Sequence, residues 1–336
     1  MSLQEPLRFR PILIEKVWGG DHLAAHVEGG LPEGARIGEV WSLVDRLDGG
    51  SEVEGGTFDG RSLRGLMLSE REALLGRTPA GPDDTFPLLI KLLDAHLPLS
   101  VQVHPDRKAA ELLGGDATAK DECWYVLSAD EDCGFLLGLR EGVDPTTFAQ
   151  NAGTPAVVDL LQSFTARPGQ FVFVPAGTVH SIGSGVRLVE VQENSDTTLR
   201  LYDWDRPGLD GELRECQPEL ALSAIHYERR SKGPQMPVLQ GEGGPNRHAD
   251  LLTTPTFTVE LLEVHEAESY DTDGRPWIHV VLSGQGTLRR KEGEGAWTLG
   301  KGETWLLPAD LGAYRIDDLD GELRLLRVSV REETPA

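Results

Sequence analysis

The sequence predicts a mainly β protein: two small β-barrels in succession, with a few short α-helices packed outside them. Three observations predict it. With 39 Gly, 21 Pro and 39% hydrophobic residues, the 336-residue chain suits short strands and tight turns better than long helices. The stretch Arg167-Pro-Gly-Gln-Phe-Val-Phe-Val-Pro-Ala-Gly-Thr-Val-His180 shows the pattern at its clearest. An apolar run, Phe171 to Val174, is closed by Pro175 and Gly177, and a second strand then opens with His180 aimed at the sheet interior. Finally, the Gly-x5-Pro spacing returns at Gly302-Glu-Thr-Trp-Leu-Leu-Pro308. There Ala309 to Ala313 stand where Ala176 to His180 stood, so the second copy keeps the turn and lacks the histidine.

Each element follows in order. Pro11 to Gly20 reads as a strand ending in a glycine turn, and Gly38 to Val44 as a second strand. Ser62 to Leu75 has helical spacing in Leu63, Leu66, Leu68, Leu74 and Leu75, stopped by Gly76. Phe86 to Asp94 is an apolar run carrying one lysine, Lys91, and Leu97 to Asp106 follows directly. Alternate side chains of a strand share a face, so Ser100, Gln102 and His104 point one way. By the same rule Lys120, Glu122 and Trp124 share a face of the Lys120–Leu127 strand, and Leu188, Glu190 and Gln192 a face of Val186–Glu193. Asp144 to Phe164 reads as one or two short helices, and Pro218 to Glu228 as another. Residues 1–230 therefore form the larger domain, 231–247 a Gly- and Pro-rich linker, and 248–336 a small β domain whose strands run from Phe257 to Val330.

The formal net charge is −23, which repels nucleic acid and anionic membrane surfaces, so neither is expected as a partner. No run approaches the roughly 20 apolar residues that span a bilayer, and Met1 to Pro6 lacks the flanks of a signal peptide. Cys123, Cys133 and Cys216 fit reduced thiols in a cytoplasmic protein. No residue pattern speaks to oligomeric state.

Gln102, His104, Glu122 and His180 form the strongest constellation. Two neutral imidazoles, a carboxylate and an amide oxygen bind a divalent ion and leave positions open for substrate. The spacing Gly-x5-Pro-x-Gly-x2-His is similar to the second metal motif of cupin barrels. Gln-x-His-Pro-Asp, Lys-x-Glu-x-Trp-Tyr, Pro-x-Gly-x2-His and Ser-Asp-x3-Arg together resemble, in that order, the type I mannose-6-phosphate isomerases. Trp18-Gly19-Gly20 and Gly38-Glu39-x-Trp41 add to the likeness, and the length suggests the shorter bacterial branch. The resemblance implies two cupin (jelly-roll) barrels, the second degenerate, and interconversion of mannose 6-phosphate and fructose 6-phosphate. It also implies one Zn2+ per chain on Gln102, His104, Glu122 and His180, with Lys91, Lys120, Glu190 and Arg200 as further active-site groups.

Chemistry assigns the remaining roles. Moving a proton between C1 and C2 through a cis-enediol builds charge on a former carbonyl oxygen, which a Lewis acid stabilises by several kcal/mol. Glu190 is the first candidate for the proton-transferring base, with Lys120 its rival and Arg200 near the sugar oxygens. A phosphate needs local cations in so acidic a chain, and Arg206 with the Ser100 hydroxyl is the expected contact, beside Lys91. After Arg200 the sequence Leu-Tyr-Asp-Trp-Asp departs from the Gly-Leu-Thr of longer family members. Two other readings use the same residues: an Fe(II)-dependent oxygenase-like cupin, and a non-catalytic cupin that binds a sugar phosphate. Neither accounts as well for both the basic residues and the full set of ligands.

Overall fold

Both faces of the central strands are covered, and this decides the architecture. The computed structural model describes residues 3–332 except 28, 48, 242 and 292–294. Residues 1 and 2 of the N-terminal segment and residue 242 of the expected linker therefore lie outside the described residues.

The first six-stranded sheet runs Ile12–Gly20, Ile37–Leu43, Leu88–Ala95, Val186–Glu193, Glu122–Ala129, Phe171–Val174. Leu88–Ala95 is buried along its whole length, and its alternate residues serve two different cores. Leu88, Ile90 and Leu92 join Val189 and Val191 in a core shared with Phe257, Ile278, Leu306 and Val328 of the C-terminal half. Leu93 joins Trp124, Val126 and Leu188 in a second core with Phe135, Leu137 and Ile182. The latter residues belong to a five-stranded sheet ordered Leu199–Tyr202, Val101–Val103, His180–Ile182, Gly134–Leu139, Leu161–Thr165.

The C-terminal half repeats this pairing. A second six-stranded sheet packs on one of four strands through Leu262, Trp277, Leu288, Tyr314 and Ile316. Four sheets thus stack in layers, with the two six-stranded sheets back to back. The layering does not follow the chain: Leu7 and Arg8 pair with Leu306 and Trp305, so an N-terminal strand closes the edge of the C-terminal sheet.

Several expected elements are moved. Gly19 and Gly20 lie inside the Ile12–Gly20 strand rather than in a turn. A Cβ on Gly19 would fall on the backbone nitrogen of Gly38, and one on Gly20 on the Asp94 carboxylate, so close approach of chains explains these glycines. Gly19→Ala should accordingly cost about 1–3 kcal/mol, by the overpacking rule. Denaturant midpoints measure this; an unchanged midpoint would show that the strands have room to part.

The 62–75 helix is two, Leu63–Ser69 and Arg71–Leu75, broken at Glu70 where φ is −130°. Ser62 Oγ accepts from Gly65 N at 3.0 Å and caps the first. Helix Pro145–Asn151 is capped by Asp144, but Leu161–Thr165, expected as helix, is a strand paired with Gly134–Leu139. Its period of two, half-buried Gln162 and Phe164 against exposed Ser163 and Thr165, lasts only four residues, and the hydrophobic spacing of the preceding residues masks it. The last predicted helix stops at Ala224. The C-terminal strands begin at Arg247, earlier than Phe257, and the linker is tied to both sides by bridges Phe171↔Gln235 and Gln240↔His248.

Candidate metal centre and the adjoining cavity

Two rows of side chains face one another between the first pair of sheets. In the five-stranded sheet Arg200 lies opposite Gln102 and Gln102 opposite His180. In the six-stranded sheet Trp41 lies opposite Lys91, Lys91 opposite Glu190, and Glu190 opposite Trp124. Residues far apart in sequence thus meet because neighbouring strands hold them in register.

At one end His104, Glu122 and His180 converge, with one potential ligand atom from each lying within 4.8 Å of the others, all three buried. His104 Nδ1 donates to the Thr197 carbonyl at 2.8 Å, and His180 Nδ1 to that of Thr178 at 2.9 Å. Each bond fixes a tautomer whose Nε2 lone pair turns to Glu122, at 3.4 Å from Oε2 for His104 and 3.3 Å from Oε1 for His180. Burial, with the Lys120 charge beside it, pushes His104 down to about 4, and burial also lowers His180, so both are neutral near pH 7. Burial opposes ionisation of Glu122, yet the Lys120 ammonium outweighs it and holds the carboxyl well below its ordinary range.

Among the described residues neither Glu122 oxygen receives a well-directed hydrogen bond, although Lys120 Nζ stands 2.8 Å from Oε2. Two imidazole lone pairs aimed at an ionised carboxylate with undirected lone pairs are a donor set for a divalent cation, and these residues fit zinc. Gln102 borders the cluster through its amide nitrogen, 3.2 Å from His180 Nε2, while its oxygen accepts from Ser100 Oγ at 2.9 Å. A half turn of the amide would direct the oxygen at the cluster instead.

Beside the cluster lies a polar cavity of about 220 Å³. Lys91, Ser100, Gln102, Lys120, Glu190 and Arg200 line it, which brings together most of the residues singled out from sequence. A chain of alternating charge crosses its wall: Lys16 Nζ is 3.3 Å from Glu39, and Lys91 Nζ is 3.6 Å from Glu39 and 3.1 Å from Glu190. Burial disfavours the Lys91 ammonium, but Glu39 and Glu190 overcome this and hold it above its usual value. Burial likewise opposes the Glu39 charge, and Lys91 and Lys16 still pull its carboxyl to about 2. Trp124 Nε1 donates to the second Glu190 oxygen at 3.2 Å. Lys120 reaches the metal cluster, 3.3 Å from His104 Nε2, as its place two residues before Glu122 predicts.

Arg206 is placed differently from the expectation. Its Nη2 donates to buried Asp203 at 2.8 Å, and it is not among the residues lining the cavity; Arg214 is. Sequence reasoning also missed Lys16 and Asp196 on the cavity wall, and took Glu39 only as part of a motif. Glu39 and Asp196 sit inside motifs already quoted, where a charged residue next to a predicted strand was the available signal. Arg214 lies in a Gly- and charge-rich loop that offered none.

Two stacked antiparallel sheets, with His104 and His180 at neighbouring strands of one and Glu122 on the other, place the protein in the cupin class. Residues 7–131 match the model of the type I phosphomannose isomerase catalytic domain, and residues 248–330 that of the mannose-6-phosphate isomerase cupin domain. The chain is 34% identical to mannose-6-phosphate isomerase ManA of Bacillus subtilis, over 93% of this chain and 96% of that one. It is 32% identical to the mannose-6-phosphate isomerase of Streptococcus mutans, over 96% and 98%. The crystal structure of the Bacillus subtilis mannose 6-phosphate isomerase superposes with a TM-score of 0.85 at 29% identity, covering 97% of this chain and 99% of that one. The chain belongs to the type I phosphomannose isomerase family.

Proposed function

We propose that this protein is a zinc-dependent mannose-6-phosphate isomerase, interconverting mannose 6-phosphate and fructose 6-phosphate, with one zinc ion per chain. The observation that carries the reading is the convergence of His104, Glu122 and His180 at the end of a cavity bearing Lys91, Lys120 and Arg200. In so acidic a chain that concentration of cations favours an anionic substrate over the neutral one an oxygenase would take.

His104, Glu122 and His180, with Gln102 after its amide turns, would hold the metal. Zinc there supplies Lewis-acid stabilisation of the oxygen charge that builds during isomerisation, a contribution of several kcal/mol. The other roles fall to the chain's own groups. Glu190 moves the proton between C1 and C2; its carboxylate is held by Lys91 on one oxygen and Trp124 on the other, so its position is set before substrate arrives. Lys120, against the cluster, donates to a sugar oxygen, and Arg200 supports the oxygens beyond Gln102. Burial of these groups keeps water from competing for the transferred proton.

The first pair of sheets, within 1–230, would form the walls of the catalytic barrel, and the second pair, within 248–336, a barrel without metal ligands, with 231–247 linking them. Free Cys123, Cys133 and Cys216 support a reducing cytoplasmic setting. Among the described residues no helix is long and apolar enough to cross a membrane.

Dialysis against a chelator followed by a coupled assay on mannose 6-phosphate tests the reading. Turnover should fall at least about 100-fold and return on adding zinc, since a catalytic metal supplies several kcal/mol. Undiminished turnover by protein shown to be metal-free would overturn it.

A further inference from the structure

The edge of the cavity beyond Arg200 is built on a strained corner. Trp204 and Asp205 both take positive φ, 60° and 49°, a left-handed conformation that costs a bulky residue most. Side chains pin the corner: Trp204 Nε1 donates to the Leu99 carbonyl at 2.7 Å, and Tyr202 OH to Asp205 at 3.0 Å. Its product is the placement of Asp203, buried between two arginines. Asp203 Oδ2 accepts from Arg214 Nε at 2.6 Å, and Oδ1 from Arg214 Nη2 at 2.7 Å and Arg206 Nη2 at 2.8 Å.

The two arginines are left in different states. The forked bond to Asp203 fixes the plane of the Arg214 guanidinium, and Nη1 has no hydrogen-bond partner among the described residues. Arg214 lines the cavity with Arg200, whose Nε is buried without a partner. Burial, and then the like charge of Arg214, lowers Arg200, and Asp203 and Asp196 offset this only in part, so the two guanidinium groups repel one another across the cavity. Arg206 also keeps buried unpartnered donors, Nε and Nη1, but does not border the cavity.

We propose that Arg214, rather than Arg206, grips the substrate's phosphate together with Arg200, and that Asp203 is the positioning residue that sets the Arg214 plane. The proposal rests on the isomerase reading for its substrate, but the anion site itself can be tested without turnover. A planar guanidinium fixed at one edge offers its remaining donors to phosphate oxygens at a set angle, which a free lysine would not do. The strain at Trp204 and Asp205 then has a use: a relaxed turn would carry Asp203, and Arg214 with it, away from the cavity.

Inorganic phosphate is the probe, as a competitive inhibitor of turnover and as a ligand in isothermal titration, with circular dichroism confirming that each variant is folded. Arg214→Met should raise both KM for mannose 6-phosphate and the inhibition constant of phosphate by about 10- to 100-fold, the scale of losing a charge-assisted contact. The fall in kcat should be smaller. Arg214→Lys, which keeps a cation beside Asp203 and serves should the methionine variant not fold, should recover part of the affinity. Asp203→Asn should raise KM with kcat nearly kept, as expected of a group acting through another. Arg206→Met should shift the constants by no more than about a fifth as much. Phosphate affinity lost in Arg206→Met and kept in Arg214→Met would overturn the assignment, as would unchanged constants in both Arg214 variants. Wild-type protein that binds phosphate through Arg214 yet leaves mannose 6-phosphate unconverted would uphold the anion site and sink the isomerase reading.

Discussion

Glu122→Gln should strip the purified protein of its metal and lower kcat/KM on mannose 6-phosphate by at least about 10³-fold, some 4 kcal/mol of lost transition-state stabilisation. Glu122 is the one carboxylate in the cluster, and the amide removes its charge while keeping its shape. Two neutral imidazoles and neutral amides remain, a set too weakly donating to hold zinc against dialysis. The same change leaves Lys120 without the carboxylate 2.8 Å away, so a buried cation loses its partner. That places the stability cost at about 3–5 kcal/mol. Metal content, turnover and thermal melting should be measured on one preparation, because a loss of activity with the metal retained would mean that Glu122 acts in some other way. A variant holding a full equivalent of zinc and more than a tenth of wild-type activity would end the assignment.

Glu190→Gln should lower kcat by about 10² to 10⁴, the usual worth of a positioned base, with KM changed little. The amide can still accept from Trp124 Nε1, and Lys91 keeps Glu39, so the site should stay assembled. The informative readout is release of label from C2 of mannose 6-phosphate into water, compared with substrate affinity. Label release abolished while binding survives identifies Glu190 as the proton carrier. The same signature in Lys120→Met, with Glu190→Gln still exchanging, would transfer the role to Lys120.

The candidate metal-binding cluster was legible in the sequence because each member sits in a short recognisable pattern, and the family likeness joined the patterns into one site. Gln102 and His104 lie two apart near one strand, Glu122 opens another, and His180 follows a Pro-Gly turn, so period two and turn chemistry suffice to aim them. The cavity wall was less so. Lys16, Glu39, Lys91 and Glu190 meet only because four strands lie side by side in the order Ile12–Gly20, Ile37–Leu43, Leu88–Ala95, Val186–Glu193, and no local pattern encodes that order. Choosing between Arg206 and Arg214 required knowing that the chain turns left-handed at Trp204 and Asp205, of which only the aspartate tolerates that conformation readily. The apolar run Phe86 to Asp94 did not say what covers its two faces, one of which proved to pack on the C-terminal half.

The pairing of Leu7 and Arg8 with Trp305 and Leu306 has a bearing on how the molecule comes to be made. A nascent chain tends to fold its domains as they leave the ribosome, the earliest first. Here the Leu7–Arg8 strand must wait, its hydrogen-bonding edge open, until its partner Thr304–Leu307 has been synthesised. That step joins segments far apart in the sequence, so a lesion in Thr304–Leu307 can reach the half that carries the candidate site without touching a single residue of it.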